Sequence, residues 1–378
     1  MSPALNPAPA SDAPLLEVTD LAVEFRTPDG AVRAVDGLSY RVEAGRTLAI
    51  VGESGSGKSV SSLAVLGLLP DTARVTRGTV KLDGTDLLGL SRKEHRARCG
   101  EQVAMVFQDA LAALNPVHTV GYQLTEALRA RRGLSRRDAR KRAIELLDLV
   151  KVPNAKARVA EYPHQFSGGM RQRVMIAMAL SMDPDVLIAD EPTTALDVTV
   201  QAQVLRLLAE IQAERRMGLV LITHDLGVVA GVADDVTVMY AGRAVEQAPV
   251  VPLYTAPAHP YTRALLRSVP SAAGTGRLPV IPGRPPSPAA MPSGCPFHPR
   301  CDAVRDVCRT DVPPQAVPAP GRMSACHFAA DVLAGREPAG ASASVAAASG
   351  PTASAPTASA PTASGPTPGP TAKGDPDD

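Results

Sequence analysis

Thr47-Leu48-Ala49-Ile50-Val51-Gly52-Glu53-Ser54-Gly55-Ser56-Gly57-Lys58-Ser59 is the stretch whose reading decides the fold. Its first five residues form a short buried-type strand, and the apolar run from Val60 to Leu69 reads as a helix. Between them the turn fits G-x-x-x-x-G-K-[ST] without a mismatch, in the strand–turn–helix setting that gives this motif its meaning. The glycines let successive backbone N–H groups face the β- and γ-phosphates of a nucleotide, and the helix that follows adds its positive N-terminal end. Lys58 then neutralises phosphate charge and the Ser59 hydroxyl coordinates Mg²⁺. The competing reading is a Gly/Ser loop that merely caps a core helix.

On the N-terminal side, short apolar runs between Leu15 and Arg46 alternate with Pro28-Asp29-Gly30 and Asp36-Gly37, which predicts antiparallel strands and hairpins; a further pair surrounds Lys81-Leu82-Asp83-Gly84. On the C-terminal side, Val120 to Ala160 is rich in Arg, Leu and Ala at helical spacing and predicts a helical subdomain, taken broadly as residues 110–180. Val186 to Ala189 and Leu219 to Thr223 read as buried strands flanking a helix from about Val200 to Arg215, an alternation that implies a parallel sheet. The expected class is therefore α/β, a P-loop domain with a mixed sheet, an antiparallel β subdomain and a helical subdomain. Asp190 and Glu191 end the first of these strands. Two adjacent acids at a strand end are commonly a solvated turn; together with the phosphate loop they read as a second nucleotide motif. In that reading Asp190 holds Mg²⁺, through water or directly, and Glu191 polarises the attacking water as general base.

Composition narrows the setting. Lys and Arg number 39 against 38 Asp and Glu, a formal charge of +1, so no chain-wide field favours nucleic acid. Met1 to Pro14 lacks the basic cluster and apolar run of a secretory signal, and no segment reaches the ~20 apolar residues of a bilayer span. A cytoplasmic protein held at a membrane by other subunits is the expectation. Of five cysteines, Cys99 stands alone and reads as an ordinary, partly buried thiol. The other four crowd between Cys295 and Cys326, which in a reducing compartment suggests metal before disulfides. Residues 1–13, and 331–378 with their Pro-Thr-Ala-Ser repeats, are expected to be disordered.

With both nucleotide motifs in place, the chain resembles the ATPase subunits of ABC transporters over about residues 14–330. Phe166-Ser167-Gly168-Gly169-Met170 is similar to the family signature, with Met170 where Gln is commonest. The resemblance implies that Ser167, Gly168 and Gly169 cap the γ-phosphate of ATP held by a partner subunit. It likewise makes Gln108 the glutamine that senses Mg²⁺ and water and links to the membrane subunit, Asp197 part of the D-loop Ala195-Leu196-Asp197, and His224 the histidine that contacts the γ-phosphate. Phe25 stands where the family places an aromatic against adenine, an assignment that competes with plain core packing.

Phe107-Gln108-Asp109 running into Leu114-Asn115-Pro116, the segment His259 to Leu266, and the terminal cysteines resemble the oligopeptide/dipeptide importer branch, which includes nickel importers. The resemblance implies an ATPase domain over 14–268 and an importer-type extension with a cysteine cluster over 269–330. It also implies a second, non-identical ATPase subunit, two permeases and an extracytoplasmic binding protein, at the cytoplasmic face of the plasma (inner) membrane. Cys295, Cys301, Cys308 and Cys326 suit either zinc or iron–sulfur; the branch implies a [4Fe–4S] centre, with Zn²⁺ and free or paired thiols as alternatives. His298 and His327 beside them read as bystanders or supporting groups. A soluble ABC ATPase acting on nucleic acid or ribosomes is the rival function. It is disfavoured by the single P-loop and balanced charge.

Overall fold

A computed structural model describes residues 13–194, 196–269 and 279–336, apart from the side chain of Leu111. The expected disorder at 1–12 and 337–378 lies outside these residues. Two sheets organise the described chain. The first is antiparallel, in the order β2-β1-β4-β5, built from β1 (Leu16–Thr27), β2 (Gly30–Val42), β4 (Ala73–Leu82) and β5 (Thr85–Asp86). The second has the order β11-β12-β10-β9-β3-β8-β7-β6. Its parallel centre comprises β3 (Thr47–Val51), β6 (Val103–Val106), β7 (Val186–Asp190), β8 (Gly218–Thr223) and β9 (Asp235–Tyr240). Antiparallel β10 (Arg243–Pro249), β11 (Ala316–Ala319) and β12 (Arg322–Ser324) complete one edge.

The central strands lack polar alternation because both faces of the sheet are covered. Leu187 and Ala189 of β7 join Leu219 and Leu221 of β8 in one core, against Leu124, Leu128, Ala143, Leu146 and Leu147 of the helical subdomain. Their neighbours Val186, Ile188, Val220 and Ile222 face the other way, into a core shared with Leu16, Val18, Val35 and Leu38 of the antiparallel layer. Period-two alternation thus sends successive apolar residues to two different cores, so a continuous apolar run is what the position demands.

The helical subdomain breaks where local capping dictates. Thr119 Oγ1 accepts the Tyr122 N–H and starts the helix Val120–Arg132; Ser135 Oγ accepts the Asp138 N–H and starts Arg136–Leu149. Two sequence expectations are corrected. The helix after the phosphate loop spans Lys58–Val65 rather than Val60 to Leu69, because Gly67 turns left-handed at φ +65° and ends it. The helix Ala329–Leu333 crosses the boundary drawn at 330, since Val332 is buried and holds that turn in place.

A buried ion pair ties β12 to β10. Glu246 on β10 is fully buried and accepts the Ala258 and His259 N–H groups at 2.7 and 3.0 Å. Arg322 on β12 donates to it at 2.9 Å and to the Ala256 carbonyl at 2.6 Å. Burial raises the Glu246 carboxyl, an effect that the Ala258 N–H and Arg322 oppose without cancelling. Removing one partner strands a buried charge, whereas removing both does not. Arg322→Met should therefore destabilise the protein by about 3–5 kcal/mol in chemical denaturation, and Glu246→Gln/Arg322→Met should recover most of that loss. A double variant no more stable than the single would contradict this reading.

Candidate functional site

Parallel α/β sheets bind ligands beyond the carboxyl ends of their strands. Four predicted site segments leave the sheet at that edge: the phosphate loop after β3, Gln108 after β6, Asp190–Glu191 at the end of β7, and His224 after β8. Val51 pairs with Thr223 and Asp190 with Ile222, so the strand ends are level. Gly52 through Val60, Gln108, Glu191, His224 and Leu265 line one cleft of about 640 Å³.

The loop has no room for other residues at its pivots. A Cβ on Gly52 would run into the Met239 carbonyl, and Gly57 adopts φ +98° with the Ala34 carbonyl where a Cβ would go. Lys58 Nζ donates to the Gly52 and Glu53 carbonyls at 2.8 and 3.1 Å. Ser59 Oγ donates to Asp190 Oδ1 at 3.0 Å, across 131 residues of sequence. Burial lowers the Lys58 ammonium, an effect offset by Glu191, Asp190 and Glu53; burial raises the Asp190 carboxyl, offset by Ser59 and Lys58.

Glu191 sits in the left-handed region at φ +46°, a conformation costing about 1–2 kcal/mol for a non-glycine residue. Its N–H donates to the Ile222 carbonyl at 2.9 Å. Around its carboxylate converge Gln108 Nε2 at 3.0 Å, Thr194 Oγ1 at 2.9 Å and His224 Nδ1 at 3.4 Å. Strain held by surrounding bonds at a cleft residue is typical of functional positions. Loop glycines, lysine, serine, two acids, a glutamine and a histidine thus surround a space that suits a magnesium-bound polyphosphate.

The remaining expected residues lie elsewhere. Ser167 caps the helix Gly168–Ala179, its Oγ accepting the Met170 N–H, and Asp197 caps Val198–Arg215 through Val200. Neither lines the cleft. Gly169 instead packs so closely on Val200 that a Cβ there would strike it, which joins the signature turn to the D-loop. Phe25 pairs with Val32 and Ala73 and packs, partly buried, on the antiparallel layer's core, away from the cleft lining. Sequence reasoning missed Thr194, Leu265, Tyr261, whose hydroxyl accepts the Glu53 N–H at 3.1 Å, and Arg300, which bonds the Glu53 carboxylate. The segment around Tyr261 carried a signal, read only as a branch marker.

Cys295, Cys301, Cys308 and Cys326 line one small apolar pocket with Phe297, Phe328 and Val332; none forms a disulfide. Burial pushes the Cys301 thiol up to about 12 and the Cys326 thiol up to about 11. Each of these sulfurs accepts a backbone N–H, from Ala303 and Phe328, at 3.4 Å. His298 bonds the Cys295 carbonyl and His327 the Asp311 carbonyl, so both are tied to backbone. Among the described residues, no three His, Cys, Asp or Glu side chains converge on a common metal point. Cys99 packs apart, near the Val65 carbonyl, with its thiol raised to about 11 by burial.

A family model described as "ABC transporter" matches residues 35–194, and one described as "Oligopeptide/dipeptide transporter, C-terminal region" matches 245–308. The chain is 48% identical over 327 residues to the oligopeptide transport ATP-binding protein OppD of Salmonella typhimurium, covering 86% of this chain and 97% of the relative. It is 49% identical over 318 residues to the dipeptide transport ATP-binding protein DppD of Escherichia coli, covering 84% and 97%. Among solved structures, the bacterial ABC transporter cassette MJ0796, determined as a dimer, aligns with a TM-score of 0.56 at 26% identity, covering 62% of this chain and 98% of that one. The cbiO1 protein of Clostridium perfringens, part of the cbiONQ transporter complex, gives 0.56 at 29%, covering 64% and 91%. With both halves of the chain matched and relatives near 50% identity spanning almost their full length, the chain belongs to the ABC transporter ATPases, as an ATP-binding subunit of the oligopeptide/dipeptide family.

Proposed function

We propose that this subunit hydrolyses ATP to energise import of oligopeptides or dipeptides, with the cleft at the ends of β3, β6, β7 and β8 as its nucleotide site. The observation that carries the proposal is the meeting of Lys58, Ser59 and Glu191 in one cleft with Gln108 and His224, with Asp190 bonded to Ser59 beside them. In this reading the loop N–H groups and Lys58 hold the β- and γ-phosphates. Ser59 and Asp190, already joined, hold Mg²⁺, which offsets phosphate charge that would otherwise face two carboxylates. Glu191 accepts a proton from the attacking water, and Gln108 and His224 orient its carboxylate toward the γ-phosphate. Ser167, Gly168, Gly169 and Asp197, outside their own cleft, serve the nucleotide of a second ATPase subunit, which is how closure gates turnover.

The partners proposed are a non-identical ATPase, two permeases and, through them, an extracytoplasmic binding protein, with the chain peripheral at the cytoplasmic membrane face. Among the described residues no helix is long and apolar enough to cross a membrane. Phe107, Val117 and Tyr122 are exposed on the segment around Gln108, apolar surface that supports permease docking there.

The domain division proposed is an ATPase domain over 14–268 and an extension beginning at 269. The four terminal cysteines match a soft-metal group in donor type and share one apolar pocket, with N–H groups aimed at two of the sulfurs, although among the described residues no three of them converge on a common metal point. We assign Cys295, Cys301, Cys308 and Cys326 to a [4Fe–4S] cluster, with zinc as the alternative.

Lys58→Ala should weaken MgATP binding about ten- to a hundredfold in titration, the loss of a charge-assisted contact. Glu191→Gln should bind MgATP normally yet turn over at least about 100-fold more slowly and accumulate as a closed dimer. Wild-type turnover in Glu191→Gln would remove the general-base role. Anaerobically purified protein should carry iron and acid-labile sulfide; stoichiometric zinc would replace that assignment.

A further inference from the structure

The cysteine-bearing segment reaches the phosphate loop through one side chain. Arg300, the residue before Cys301, is only 8% exposed. Its Nη1 donates to Glu53 Oε2 at 2.9 Å and to the Tyr240 hydroxyl at 3.3 Å, and its Nε donates to the Pro282 carbonyl at 2.9 Å. The guanidinium carbon stands 5.8 Å from the centre of the Tyr240 ring. Tyr240, Tyr261 and Phe297 pack at ring separations of 4.7–5.3 Å and wall this contact. The Tyr240 side of this contact is thus packed from behind.

Glu53 is the second residue of the loop, and its position is unusual for a carboxylate. Its other oxygen, Oε1, is buried without a hydrogen-bond partner. Its N–H is held by Tyr261, and its carbonyl accepts from Lys58 Nζ. The Glu53 charge also acts on the Lys58 ammonium. An unneutralised carboxylate here would compete with phosphate for Lys58 and repel an incoming polyanion, since charges in a partly buried cleft are weakly screened.

We infer that Arg300 is a positioning residue for the nucleotide site: it neutralises and pins Glu53, which leaves Lys58 free to take phosphate. The inference rests on the proposed nucleotide reading of the cleft. Arg300 does not line the cleft and acts through the residues it holds, Glu53 above all. A loop that binds ground and transition states alike should lose affinity rather than chemistry when this support goes.

The test measures MgATP Kd by titration, and KM and kcat for ATP, in full-length protein. Arg300→Met should raise Kd and KM about tenfold, with kcat at saturation within about threefold of wild type. Arg300→Lys, which keeps the charge, should stay within about threefold of the wild-type Kd. The discriminating variant is Glu53→Gln/Arg300→Met, in which the stranded charge is gone; it should bind MgATP within about threefold of wild type. Wild-type affinity in Arg300→Met, or a double variant as weak as the single, overturns the inference. If Arg300→Met does not fold by circular dichroism, the double variant and Arg300→Lys carry the same comparison. Absence of MgATP binding by the wild-type protein would instead sink the functional proposal and leave this inference without a site.

Discussion

The hydrogen bond from Ser59 to Asp190 joins two segments that the sequence keeps 131 residues apart. It forms because β3 and β7 both pair with β8, which lies between them, in a register that leaves their ends level. Each of these strands is apolar through its middle because cores press on both faces of the sheet. The polar residues can therefore appear only where the strands stop. Chemistry at the carboxyl edge is thus a consequence of burial along the strands, and a change that shifted β8 by one residue would both misalign the site and turn its apolar side chains to the wrong cores.

That placement puts unlike demands on the two charged residues. Lys58 and Asp190 are both buried, and burial disfavours the charge on each. Each is offset by its neighbours: Lys58 by three carboxylates, Asp190 by Ser59 and Lys58. A bare triphosphate would satisfy Lys58 and leave Asp190 and Glu191 facing negative charge. A divalent cation between phosphate and acids removes that conflict, so the electrostatics of the cleft call for metal and nucleotide together.

What the sequence made legible was local. The phosphate loop, the strand before it and the acids after β7 could be read because each is a contiguous pattern with its own physical signature. Boundaries were read less well: Lys58 and Ser59 belong to the helix as well as to the motif, and Val332 extends the fold beyond a composition shift placed at 330. Arg300 had no signal at all. It lies between two cysteines and meets Glu53 across 247 residues, a pairing set only by how the extension folds back. Phe25, read as an aromatic that stands where the family places one against adenine, packs partly buried on the antiparallel core.

The signature turn poses the remaining geometric question, and its surroundings answer it. Ser167 uses its oxygen to cap its own helix, and Gly169 lies against Val200, one turn into the helix that Asp197 caps. Signature and D-loop are thereby one packed unit, away from the cleft that Lys58 and Glu191 line. A helix N-terminus with exposed N–H groups is suited to anions, and this one does not line the chain's own cleft. In the proposed reading, its anion comes from outside the chain. On the proposal that a second nucleotide-binding subunit supplies it, binding there would require both subunits to close on each other's phosphates, which would convert a local electrostatic contact into relative motion of two proteins.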